Sequence, residues 1–125
     1  MNNKLIIYPF ENYLYNGLVI DKLVYTPSVL DLFLTNNDGS GLKIYFDWFY
    51  AFRVIDEGDA INMLNYFNGE LILGIYTLTD SQYLKWFHEQ SVMMHLKKNI
   101  VHYIIVTVND IVEVLSCEKP LISRI

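Results

Sequence analysis

A chain of 125 residues that is 53% hydrophobic, 15% aromatic and 18% charged has the make-up of one folded domain, 1–125, and not of a disordered tail. Nine Lys and Arg against fourteen Asp and Glu leave a formal charge of −5, which disfavours nucleic acid and anionic membranes as partners and favours a basic protein. The single cysteine, Cys117, closes no internal disulfide, and the early apolar run Leu5-Ile6-Ile7-Tyr8 before Pro9 is too short for a signal-peptide core, so a cytoplasmic location is expected.

Along the chain, Leu18 to Tyr25 is rich in β-branched and aromatic residues and predicts a strand, broken from the next by Thr26-Pro27-Ser28. Leu30, Leu32 and Leu34 alternate with Asp31, Phe33 and Thr35. The turn residues Asn36-Asn37-Asp38-Gly39-Ser40-Gly41 then make a hairpin with a long strand from Ile44 to Val54. Its even positions, Ile44, Phe46, Trp48, Tyr50, Phe52 and Val54, are all apolar and predict one buried face with Trp48 in the core. Asp59 is placed to cap a short helix from Ala60 to about Phe67, ended by Asn68-Gly69. Leu71 to Leu78 reads as a strand buried on both faces, with Gly74 marking a bulge or a close approach.

Thr79 and Gln82 have the spacing of a capping box, which predicts a helix from about Asp80 to Met93 with Tyr83, Leu84, Phe87 and Ser91 on its packed side. Tyr103 to Val108 is a strand and Asn109-Asp110 a turn. Ile111 to Leu115 fits either a strand or a helical turn, and its β-branched content favours strand. The expected fold is α+β: a twisted antiparallel sheet of about six strands, able to curl into a half-barrel, with two short helices.

Complete catalytic patterns are missing from this sequence. His88-Glu89 would need a second histidine at position 92 to make a zinc helix, and Val92 stands there; His95 and His102 do not repair the spacing. Cys117, Ser91 and Ser116 occupy no nucleophile setting. Asp38-Gly39-Ser40-Gly41 leads into a strand and not into the helix that a phosphate loop requires. Neither a metal nor a cofactor is expected, and no catalytic residue. The densest charge is Asp56, Glu57 and Asp59, next to an aromatic strand carrying Tyr45 and Asp47. These five residues are the candidate partner-binding edge, carboxylates steering a basic surface toward rigid aromatic anchors. A pocket lined by aromatic rings, serving small-molecule binding or catalysis, is the alternative.

Four stretches carry a family likeness: Tyr8-Pro9-Phe10-Glu11-Asn12-Tyr13; Phe52-Arg53-Val54-Ile55-Asp56-Glu57-Gly58-Asp59; Tyr83-Leu84-Lys85-Trp86-Phe87-His88-Glu89-Gln90-Ser91; and His102 to Asp110 continuing through Val114-Leu115-Ser116. In overall texture the chain resembles the small bacterial immunity proteins of contact-dependent growth inhibition and polymorphic toxin systems. That resemblance implies a cytoplasmic, non-catalytic antitoxin that binds a cognate toxin domain, many such toxins being nucleases, and blocks its active site or substrate path. It brings no catalytic residues with it.

Overall fold

The computed structural model describes residues 5–7, 17–36, 39–56 and 74–125. They form nine strands and one helix: β1 (Leu5–Ile7), β2 (Val19–Thr26), β3 (Val29–Thr35), β4 (Gly41–Phe46), β5 (Ala51–Asp56), β6 (Gly74–Leu78), α1 (Gln82–Gln90), β7 (Val101–Val106), β8 (Asp110–Ser116) and β9 (Leu121–Arg124). The class is α+β, as expected, but the strands divide into two antiparallel sheets in place of a single sheet of six. One has the order β1-β6-β7-β8-β5 and the other β2-β3-β4-β9. The helix expected over 60–67 lies outside the described residues.

The β2-β3-β4 meander follows the alternation read from the sequence. Leu30, Leu32, Leu34, Leu42, Ile44 and Phe46 point inward and are almost wholly buried, while Asp31, Phe33, Lys43 and Tyr45 occupy the other face. Pro27 and Ser28 make the tight β2-β3 turn, with Ser28 at a left-handed φ of 70°. Those inward side chains share a core with Ile75, Tyr103, Ile105, Val112 and Val114 of the first sheet, and Phe46 meets Tyr103 edge to face at 5.4 Å.

The long strand expected over Ile44–Val54 is two strands in different sheets. The chain leaves β4 after Phe46, crosses from one sheet to the other through Asp47-Trp48-Phe49-Tyr50, and enters β5 at Ala51. Alternation of apolar residues carries straight through this crossing because each side of it is rich in aromatics, so periodicity alone hides the break. Trp48 is therefore not core: it is 45% exposed.

β7 and β8 are buried on both faces, as their nearly continuous apolar sequences require. Tyr103, Ile105, Val112 and Val114 face the second sheet; on the opposite face Leu115 packs with Tyr83 and Ile100 under α1. Residues 111–115 are strand, the favoured of the two readings. α1 begins two residues later than expected because Asp80 has φ 54°, outside the helical region, and Ser81 is the N-cap. Ser81 Oγ accepts the Leu84 amide at 2.9 Å, so the cap is Ser81 and not the Thr79–Gln82 box. The helix ends at Gln90, ahead of Val92 and Met93, both at left-handed φ (53° and 61°). No helix among the described residues is long and apolar enough to cross a membrane.

Candidate functional site

Of the five residues expected at the binding edge, Glu57 and Asp59 lie outside the described residues. Tyr45 and Asp47 come together: the Tyr45 hydroxyl donates to Asp47 Oδ1 at 2.8 Å. That hydrogen bond, then loss of solvent, then the charges of Asp47 and Asp31 push the phenol above its ordinary range. Asp56 stands elsewhere. It ends β5, five residues beyond Ala51, so at about 3.3 Å per residue it is about 17 Å along the strand from the end where Asp47 lies. Asp56 pairs in register with Asp110 of β8, which sets two carboxylate-bearing residues opposite one another at that end of the sheet.

The crossing from Asp47 to Tyr50 is held at Trp48 and at Tyr50. Ser116 Oγ donates to the Trp48 carbonyl at 2.5 Å, and the Tyr50 amide donates to the Leu115 carbonyl at 2.8 Å. Trp48 meets Tyr50 edge to face, while Phe49 packs with Phe52 and with the exposed ring of Tyr25. The Tyr50 hydroxyl accepts from the Cys117 thiol at 3.6 Å. The exposed indole thus stands on a backbone that is hydrogen-bonded at Trp48 and at Tyr50, which leaves that backbone little freedom to lose.

A second constellation, absent from the expectations, lies under α1. Ser81 Oγ is 2.6 Å from His102 Nδ1, and His102 Nε2 is 2.8 Å from Glu113 Oε1. Arg53 closes the chain with Nε and Nη2 on the two Glu113 oxygens, and its guanidinium lies 3.9 Å over the Tyr83 ring. The Glu113 carboxylate only accepts, so His102 donates to it from Nε2, while Nδ1 shares a hydrogen bond with the Ser81 hydroxyl, which also accepts from Leu84. Burial raises the Glu113 pKa, but hydrogen bonds from His102 and Arg53 and the Arg53 charge outweigh it and hold the carboxyl below the usual range. Burial pushes the Tyr83 phenol up to about 12, against the pull of Arg53.

Serine, histidine and glutamate in a row resemble a hydrolytic triad by composition. Here Ser81, His102 and Glu113 are 4%, 2% and 2% exposed, and the serine oxygen is already committed to the helix cap. The chain of bonds ties α1 to β7, β8 and β5. His102, whose spacing completes no zinc helix, is at the centre of this network. Glu113 offered the signal: it is the one charged residue in the apolar run Ile111–Ser116, and a carboxylate inside a strand buried on both faces must have a cation and donors around it.

Among the described residues no three His, Cys, Asp or Glu side chains gather as a metal site would need. An open groove beside α1, about 420 Å³, is lined by Gln82, Lys85, His88, Glu89, Met93 and Leu96, with no Phe, Tyr or Trp among them.

Neither models of protein families, nor curated proteins, nor solved structures match this chain.

Proposed function

We propose that this chain is an immunity protein that neutralises a cognate bacterial toxin domain by binding it, with the crossing from Asp47 to Tyr50 as the anchor. The observation that carries the reading is Trp48, 45% exposed on a backbone hydrogen-bonded at its own carbonyl and at Tyr50. Exposed tryptophan on a fixed backbone is characteristic of residues that dominate protein–protein affinity. Asp47, next to it in the chain and hydrogen-bonded to Tyr45, and Asp56 with Asp110 at the far end of β5, suit a basic partner, and a nuclease domain is basic for the sake of its own substrate. The protein acts by occlusion, without chemistry, in the cytoplasm where such a toxin works.

The reading is tested by co-expressing the chain with the toxin domain encoded beside it. Protection by the wild-type chain, lost in Trp48→Ala while the purified variant melts normally, is the expected result. Protection that survives Trp48→Ala and Asp47→Asn together would place the interface elsewhere.

A further inference from the structure

The formal charge of −5 is not evenly spread. Between Glu89 and Asp110 the sequence contains no Asp or Glu but two lysines, Lys97 and Lys98, a local +2 in an acidic protein. The same segment holds the most exposed apolar side chains described. Val92 is 84% and Met94 77% exposed, with Leu96, Met93 and, on α1, Trp86 also open to solvent. Contiguous apolar exposure of this kind marks an interaction surface.

The backbone explains the projection. Val92 and Met93 are successive non-glycine residues at left-handed φ, a conformation that costs a β-branched residue more than most. The turn is held by the Met93 amide on the His88 carbonyl at 2.8 Å, the Met94 amide on the Ser91 carbonyl, and the His95 ring stacked on Phe87. His95 is thus the inward foot of the turn, and Val92, Met94 and Leu96 stand outward around it. Lys97 and Lys98 follow at once, both exposed, and Lys85, paired with Asp80, lies across the groove.

We infer that the turn 92–98 is a docking surface for an anionic lipid bilayer, with Val92, Met94 and Leu96 entering the headgroup region and Lys97 and Lys98 meeting lipid phosphates and carboxylates. Three features select this occupant. The sign of the charge is opposite to that of the whole molecule, so an anionic surface would attract this end and repel the rest, fixing the orientation of approach. Val92 and Met94, which contact so little of their own protein, are convex knobs, which a fluid interface receives without the matching hollows that a protein partner would have to supply. A second copy set face to face would bring Lys97 and Lys98 against their own counterparts. This surface is separate from the Trp48 crossing proposed for toxin binding, and the uneven spread of charge lets an acidic protein present one basic end.

Sedimentation with phosphatidylcholine vesicles containing about 30% phosphatidylserine tests it, against vesicles of phosphatidylcholine alone. Binding to the anionic vesicles only is expected, weakened about fivefold per lysine in Lys97→Gln and Lys98→Gln, the factor that corresponds to about 1 kcal/mol per charge. Met94→Ser should weaken it further at unchanged charge. Because all three side chains are exposed, these variants should melt as the wild type does. No sedimentation with anionic vesicles at low salt would overturn the inference, as would binding that the three substitutions leave unchanged. So would concentration-dependent dimerisation abolished by Met94→Ser, or capture of the turn by an acidic protein in place of vesicles.

Discussion

Arg53 and Glu113 are register partners across β5 and β8, and their side chains meet in a two-point ion pair, 2.6 Å from Nε and 3.0 Å from Nη2. The pair is lopsided: the arginine side chain is 51% exposed and the carboxylate 3%. A half-solvated cation thus supports a buried anion, and the edge strand β5 acquires a fixed attachment to the centre of its sheet. Removing Arg53 leaves the carboxylate with His102 as its remaining side-chain donor. Arg53→Met, which keeps much of the stem over Tyr83, should cost about 2–3 kcal/mol in urea denaturation, the range for losing a hydrogen bond to a buried charge. Adding Glu113→Gln should recover part of that loss, since the two residues are one unit. Strict additivity would show that the pair is not coupled.

The same carboxyl makes stability depend on acid. Its pKa is lowered in the folded protein, so its contribution is fully present above the unfolded value of about 4.3 and disappears as pH falls through the lower folded one. The thermal midpoint of the wild type should therefore decline more steeply below about pH 4.3 than that of Glu113→Gln, the two curves drawing together at the acid end. Parallel curves would mean that Glu113 gains nothing from its donors.

Ser81 caps α1 and also touches His102. Ser81→Ala removes both interactions and should cost about 2 kcal/mol, the upper end for a cap, because Nδ1 loses its hydroxyl as well. Thr79→Ala should cost clearly less. Equal losses measured by chemical denaturation would restore the Thr79–Gln82 box as the start of the helix.

Strain in the turn after α1 can be relieved. Val92 holds φ 53° with its side chain in solvent, so glycine there forfeits little contact and removes the clash of a β-branched side chain. Val92→Gly should raise stability by about 0.5–1 kcal/mol net of the extra freedom glycine has in the unfolded chain. A fall in the thermal midpoint would show that the valine makes contacts worth more than its strain.

The sequence was most readable where one periodicity met one environment. Leu30, Leu32 and Leu34 against Leu42, Ile44 and Phe46 form a hairpin with one wet face, and their alternation reports it directly. It misled at residues 47–50, where a run of aromatics kept the period of two while the backbone turned from one sheet to the other. The division into two sheets has no local signal, since it depends on which strands pair at long range. β1 and β9 are only three and four residues long, too short for any pattern to announce them. In the candidate site, Tyr45 and Asp47 were legible as neighbours, whereas Asp56 was joined to them by proximity in sequence that a strand of six residues converts into distance. The Ser81–His102–Glu113–Arg53 chain joins four elements and became visible only when β5, β7 and β8 lay side by side.

The central claim is that affinity for a toxin domain resides in Trp48. The most direct measurement is the dissociation rate of a complex with the toxin domain that the proposed function requires, for wild type and Trp48→Ala, with thermal melts run alongside. Dissociation about 30-fold faster, equivalent to about 2 kcal/mol at an anchor residue, with the melting midpoint nearly unchanged, is the predicted result. An unchanged dissociation rate, or a Trp48→Ala variant that is destabilised by the 3–5 kcal/mol typical of a core tryptophan, would contradict it.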